Sequence, residues 1–262
     1  MKLKAGAYFL YQVAEPTPMI AMLRPRSNDR QFIQEDRLQI SPFVPVNEYT
    51  DSFGNLCHRM MLDAGEISIK TEVLAEVEDT VAEDVTAAYV LIENLPSDVL
   101  QYLLPSRYCP SDSPEIAWLA RSITQNIVIG YEQVQAFRNW IYKNINYQYG
   151  VTFSSTTALD ILNNRMGVCR DFSHLGISLC RSMNIPARMV VGYLKNLAIM
   201  DLHAWFEAYL GDKWYTFDAV EEITTAGRIV VAYGRDATDV ALITQFGNAF
   251  LKSMNVWVEK IV

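Results

Sequence analysis

The sequence is poor in cysteine, in basic charge and in long apolar runs. Only 4 of its 262 residues are cysteine. That is too few for the disulfide framework of a small secreted scaffold, and the expectation is at least one free thiol, which can be a reagent. Lys and Arg number 22 against 30 Asp and Glu, a net charge of −8. A globally acidic chain without a basic stripe binds polyanions poorly, so nucleic acid is not an expected partner. No segment reaches the roughly 18 apolar residues that a membrane helix needs, so no membrane partner is expected either. A Gly-rich phosphate loop, a glycosidase-type carboxylate pair, an internal repeat and a low-complexity tract are all missing. What is present, 50% apolar and 20% charged residues, is the balance of an ordinary folded domain.

The acid excess is uneven. Residues 1–100 carry 8 basic and 16 acidic side chains, whereas residues 101–262 carry 14 of each. The densest acidic run is Glu72, Glu76, Glu78, Asp79, Glu83 and Asp84. This asymmetry points to two units with different surfaces. The N-terminus starts Met1-Lys2-Leu3-Lys4 before an apolar stretch, a faint likeness to a signal peptide. Tyr8, Tyr11 and Gln12 interrupt that stretch, and Glu15-Pro16-Thr17-Pro18 stands where a small-residue cleavage site belongs. A first β-strand and a cytoplasmic location are the expectation.

The first hundred residues read as short strands, many of them β-branched or aromatic: 8–13, 19–23, 37–40, 57–62, 66–77 and 88–91. Proline, Asn-Asp and Gly-containing turns separate them, which predicts an antiparallel sandwich or barrel. Residues 94–115 hold Pro96, Pro105, Pro110 and Pro114, together with enough apolar side chains to pack rather than dangle. The expected division is a β-rich domain over 1–96 and a second domain over 97–262, with 97–115 as a packed connector. Ser113-Pro114 reads as an N-cap followed by proline at the first helical position. Beyond it the period changes. Residues 131–144 space Val134, Phe137, Arg138 and Ile141 as one helix face, 157–163 suggest a short helix, and 169–183 a longer buried one ending near Asn184 and Pro186. Strands follow at 187–194, 203–210, 213–218 and 228–233, with a hairpin turn at Gly211-Asp212. Helices followed by an antiparallel sheet make an α+β domain.

Three residues then stand out together. Cys169 opens a helix, where free backbone N–H groups and the helix dipole favour thiolate and could later receive an oxyanion. His203 begins a strand, and Asp218 ends the next one. A hairpin turn at Gly211-Asp212 brings both to the same open end of the ribbon. A cysteine at a helix N-terminus, facing a histidine oriented by a carboxylate, is a nucleophile, base and orienter.

Residues 156–218 closely resemble the catalytic core of the transglutaminase-like superfamily of papain-like cysteine enzymes. The resemblance is carried by GVCRDF, IPAR, GY and HAW, in this order, within 156–194 and 201–219. Pro16-Thr17-Pro18, Tyr49-Thr50-Asp51, Phe53-Gly54-Asn55 and Arg59 resemble the β-rich domain that precedes the core in the bacterial branch. The resemblance implies an N-terminal antiparallel β-sandwich followed by a papain-like core of helices packed on an antiparallel sheet. It also implies that Cys169, His203 and Asp218 match the superfamily's Cys-His-Asp triad. One departure is plain: many bacterial members read Asp-Pro-Thr-Asn where this chain reads Asp218-Ala219-Val220-Glu221. That touches the loop and its substrate contacts more than the three residues.

The expected activity is a cysteine-dependent acyl transfer to or from a peptide or protein substrate. Hydrolysis is slightly favoured over transfer to an amine acceptor, and the rival is a non-catalytic binding or scaffolding protein with the same fold. Tyr147 and Tyr149 are candidates for lining the cleft or donating to an oxyanion, and Trp205, two residues after His203, for walling the site. No cofactor is expected. Cys169, His174 and His203 match no usual zinc spacing, and Cys57-His58 on a strand face opposite ways, so no metal is expected. The oligomeric state is not indicated.

Overall fold

Alternation of apolar residues at Leu3, Ala5, Ala7, Phe9, Tyr11 and Val13 drives the first segment into a long strand with one buried face. The computed structural model describes residues 1–261. Strands β1 (Lys2–Val13), β2 (Thr17–Ala21), β3 (Gln31–Ser41), β4 (Val46–Thr50), β5 (Leu56–Leu62) and β6 (Gly65–Val77) come first. They are followed by α1 (Pro114–Thr124), α2 (Tyr131–Asn144), β7 (Asn146–Tyr147), α3 (Ala158–Asn164), β8 (Met166–Gly167) and α4 (Cys169–Ser182). The chain ends in β9 (Ala187–Leu194), β10 (His203–Leu210), β11 (Lys213–Phe217), β12 (Arg228–Gly234), β13 (Ile243–Gln245) and β14 (Ala249–Ile261).

Two four-stranded sheets, ordered β14-β1-β6-β3 and β13-β2-β5-β4, form the N-terminal sandwich. A third sheet, β11-β10-β9-β12, is antiparallel and carries the helices. The architecture is therefore the expected sandwich followed by a papain-like α+β core. Sheet membership does not follow the division at 96/97, however. β13 pairs with β2, and β14 runs the length of β1, so residues 243–261 complete the sandwich. Trp257 of β14 lies over Gly6 of β1, where a Cβ would come within 2.2 Å of the indole. The alternation in β14 is hard to read because it is an edge strand; Ala249 and Val256 are its buried residues. The strand expected at 88–91 is not formed. Ala88 makes one isolated bridge to Gly130 instead.

The β10–β11 hairpin closes at Leu210 and Lys213 through Gly211-Asp212, both at positive φ (50° and 68°), the geometry of a twisted two-residue hairpin turn. Helix α4 lies on the third sheet. Its Gly176 faces Phe206 so closely that a Cβ would stand 2.5 Å from the ring, which sets the depth of the helix on β10. Ala204, Phe206, Ala208 and Leu210 of β10 join the helices in one apolar core. From the other face of the same sheet, Tyr193, Ile229 and Val231 join the core of the sandwich. The sheet is thus covered on both sides, which is why every residue of β10 is buried. Polar bonds fix the two units. Gln31 donates to the Val230 carbonyl (2.9 Å) and accepts from the Val230 N–H (2.7 Å), and Asn55 does the same with Tyr233 (2.7 and 2.8 Å).

Candidate active site

The thiol is placed by a turn built around one buried carboxylate. Tyr147 of β7 pairs in parallel with Gly167 of β8, immediately before α4. Asp171, in the first turn of the helix, accepts from the Val168 N–H (3.0 Å) and the Thr152 hydroxyl (2.8 Å) through one oxygen. Its other oxygen accepts from Arg170 Nε and Nη2 (3.0 and 2.8 Å). This is the carboxylate half of a capping box, and it satisfies a donor that the helix start would otherwise leave orphaned. Asp171 stands so close to Gly167 that a Cβ at Gly167 would come within 2.9 Å of the aspartate Cβ. Cys169 follows as the first helical residue, half-buried, whereas Cys57, Cys109 and Cys180 are buried. Burial pushes the thiols of Cys57, Cys109 (to about 12) and Cys180 up, away from the reactive thiolate.

His203 and Asp218 meet at the open end of the hairpin, as the register Phe206↔Phe217 requires. His203 Nε2 lies 2.7 Å from Asp218 Oδ2, and both side chains are buried. The second ring nitrogen is left for the thiol. Burial works against the imidazolium, but the Asp218 carboxylate and the neighbouring Cys169 outweigh it and raise the His203 pKa to about 10. Burial likewise opposes the Asp218 charge, and His203 and Arg228 overcome it to hold that carboxyl well below the usual carboxylate range. Arg228 Nη2 donates to Asp218 Oδ2 (2.8 Å), and the Val220 N–H donates to Oδ1 (3.1 Å). The structure thus brings Cys169, His203 and Asp218 into one cluster.

The altered turn after Asp218 has its own support. Arg138, buried on α2, donates to the carbonyls of Asp218 (2.6 Å), Glu221 and Glu222. The Thr224 hydroxyl accepts from the Asp218 N–H (3.1 Å). A guanidinium reaching three carbonyls fixes this loop without the Pro-Thr-Asn sequence.

Trp205 is buried beside His203, with ring centres 6.0 Å apart, and the Arg228 guanidinium lies 4.8 Å from the centre of its ring. It is a floor beneath the histidine, not an exposed wall. Tyr147 and Tyr149 form a half-exposed edge-to-face pair at 5.4 Å. Burial, and then Cys169, raises the Tyr147 hydroxyl pKa, so Tyr147 stands against the thiol as a neutral phenol. The Tyr149 hydroxyl reaches Asp201 Oδ2 at 3.5 Å, and burial raises the Asp201 carboxyl. His174 has other partners: it stacks on Tyr108 and accepts from the Ala237 N–H (3.1 Å). Among the described residues, no group of three or more His, Cys, Asp or Glu is placed to hold a metal ion.

Arg138, Arg228 and Asp201 escape a reading of the sequence as site residues. Arg138 does leave a trace there, as a charge within the apolar stripe of a helix, where a buried partner is implied. Arg228 and Asp201 leave none, because their meaning depends on which loops meet.

Residues 117–219 match the transglutaminase-like superfamily model, and residues 11–78 match the bacterial transglutaminase-like N-terminal region. An uncharacterised protein of Mycobacterium leprae is 31% identical over 237 residues, covering 84% of this chain and 83% of that protein. A crystal structure solved as a "Putative Cysteine Protease" from Cytophaga hutchinsonii superposes with a TM-score of 0.93 at 35% identity, covering 99% of this chain and 90% of the other. Fold, sequence and the order of the two matched regions agree, and the chain belongs to the transglutaminase-like superfamily, in the form that carries the bacterial N-terminal region.

Proposed function

We propose that the protein is a cysteine-dependent acyl-transfer enzyme acting on peptide or side-chain amides of peptide or protein substrates. The observation that carries this reading is the 2.7 Å His203–Asp218 contact, beside a half-buried cysteine at the start of α4. His203, oriented by Asp218, takes the Cys169 proton and holds it as imidazolium. The thiolate sulfur attacks the carbonyl carbon, and the negative charge passes to the carbonyl oxygen. The amides at the start of α4 and the Tyr147 hydroxyl are the donors assigned to that oxygen. Collapse breaks the C–N bond, His203 gives its proton to the leaving amine, and a thioester forms on Cys169. His203 then deprotonates the acceptor, which attacks the thioester and regenerates the thiol. With water as acceptor the enzyme is a peptidase or amidase; with an amine it is a transglutaminase. We favour water slightly, and a cytoplasmic location belongs to the same reading. No described helix is long and apolar enough to cross a membrane.

Activity-based labelling with peptide-type and amine-type probes, comparing wild type with Cys169→Ala, tests this reading. Iodoacetamide is expected to label Cys169 fastest near neutral pH, and His203→Ala to slow it. A Cys169 that reacts no faster than the buried Cys57 and Cys180, in a protein whose activities survive Cys169→Ala, would leave a non-catalytic binding protein as the description.

A further inference from the structure

Close to the thiol and His203 stands a carboxylate that the proposed chemistry does not use. Asp201 lies half-buried, two residues before His203, where the chain returns into β10. Its Oδ1 accepts from the Leu202 N–H (2.7 Å). Its Oδ2 has the Tyr149 hydroxyl at 3.5 Å, longer than an ordinary O–H···O hydrogen bond. Among the described residues Asp201 belongs to no ion pair. The cations of the candidate site are committed elsewhere: His203 and Arg228 to Asp218, and Arg170 to Asp171. His203 does act on Asp201, but its imidazolium charge is matched by the Cys169 thiolate when the two form together. Burial raises the Asp201 carboxyl, as it does for a partly desolvated acid with no cation at hand.

Two tyrosine rings link this carboxylate to the thiol. Tyr149 reaches Asp201, Tyr147 stands against Cys169, and the rings meet edge to face at 5.4 Å. Tyr147 is also packed edge-on against Phe172 of α4, at 5.7 Å. Even so, the two tyrosines stay 40% and 47% exposed. A half-exposed aromatic pair beside an unpaired carboxylate is a combination that holds cations. Ring faces attract the charge and cover an aliphatic stem, and the carboxylate takes the N–H. The cation that fits is not the attacking amine. An amine attacks a thioester through its lone pair, and a carboxylate that holds it as ammonium takes that lone pair away. Asp201 suits a cation that stays protonated throughout, a side chain of the acyl donor itself.

We infer that Asp201, with the Tyr147–Tyr149 pair, is a specificity subsite for a lysine- or arginine-type side chain within one residue of the attacked carbonyl. The inference rests on the acyl-transfer reading of Cys169 and narrows its substrates to basic peptides.

The test labels the full chain with tripeptidyl chloromethyl ketones, which alkylate a thiolate with loss of chloride. One set carries arginine, lysine, citrulline or norleucine next to the ketone, and a second set carries them one residue earlier. In one of the sets the charged probes are expected to label Cys169 about tenfold or more faster than their neutral counterparts. Whether arginine or lysine gains more identifies the preferred cation. In Asp201→Asn the ratio of charged to neutral rates should collapse to near one. Tyr149→Lys, at a half-exposed position, supplies Asp201 with a cation from within the chain and should abolish the preference too; it serves equally if Asp201→Asn does not fold. Equal rates for charged and neutral probes in both sets, or a preference kept by either variant, would overturn the subsite. So would an incorporation of lysine-type amines that disappears in Asp201→Asn while the probes show no preference, because the carboxylate then serves the acceptor. A Cys169 inert to iodoacetamide and to every probe overturns the proposed enzyme and the subsite with it, whereas a Cys169 that labels without preference overturns the subsite alone.

Discussion

Replacing Asp218 with asparagine keeps the shape of the side chain and removes its charge. In the wild type, His203 is raised from its ordinary value of 6.5 to about 10, against the opposing effect of burial. That displacement corresponds to about 5 kcal/mol of preference for the imidazolium, at 1.36 kcal/mol per pKa unit. Asp218 is the leading contributor and Cys169 the other. Even a third of the total, about 1.6 kcal/mol, is more than a tenfold change in the imidazolium population. In Asp218→Asn, burial and the cation of Arg228 act on His203 without the carboxylate. Its titration should fall to near or below 6.5, read by nitrogen NMR of labelled imidazoles. Iodoacetamide alkylation of Cys169 at pH 7 should slow by at least about tenfold, and turnover of any substrate by on the order of 10²–10⁴. Folding, followed by urea denaturation, should weaken by about 2 kcal/mol, because Arg228 loses a charge-assisted partner. A variant in which His203 still titrates near 10, or in which Cys169 alkylates within twofold of wild type, refutes the orienting role of Asp218.

Three further outcomes follow from the same contacts. Arg228→Met keeps bulk over Trp205 but strips one hydrogen bond from the buried Asp218 carboxylate. A loss of about 2–3 kcal/mol in urea denaturation is expected, with slower Cys169 alkylation. Gln31→Ala removes two bonds to Val230 and should cost about 2 kcal/mol; a change under 0.5 kcal/mol would show that the strand does not need this clamp. His174 is buried neutral, its pKa lowered to about 4 mainly by burial. Above pH 6.5 it is neutral folded and unfolded alike, and below that the unfolded chain binds the proton first. Stability should therefore fall with a one-proton slope as pH drops from 6.5 to 4, totalling about 3 kcal/mol. In His174→Gln that slope should be missing from pH-dependent denaturation curves.

The parts of the molecule legible in the sequence are those in which local pattern and burial coincide. The stripe Val134, Phe137, Ile141 gave α2 its bounds, and Gly211-Asp212 fixed the β10–β11 register, which by itself puts His203 and Asp218 at one end. Strands β4 and β14 were illegible for a physical reason. β4 is exposed throughout and β14 nearly so, which leaves no contrast between faces for a period of two to show. The supports of the candidate site were hidden for another reason. Arg228 lies ten residues from Asp218 through an irregular loop, and Arg138 reaches that loop from a helix eighty residues earlier. Such pairings are set by tertiary packing, which no local spacing encodes.

The same packing decides what the acidic N-terminal half is for. A detachable recruiting module would meet the core over a small polar surface and keep its own sheets. Here the last strands of the chain, β13 and β14, complete those sheets, so the sandwich is not built from one continuous stretch of sequence. Tyr193, Ile229 and Val231 of the helix-bearing sheet are buried in the sandwich core. Arg30 neutralises Glu207 from the sandwich side, and Gln31 clamps the strand that presents Arg228 to Asp218. Residues 97–262 alone would expose that apolar face and strip Glu207 of one of its two cations, leaving the buried carboxylate with Arg188 alone next to the floor of the site. The N-terminal half is therefore the back wall of the candidate active site.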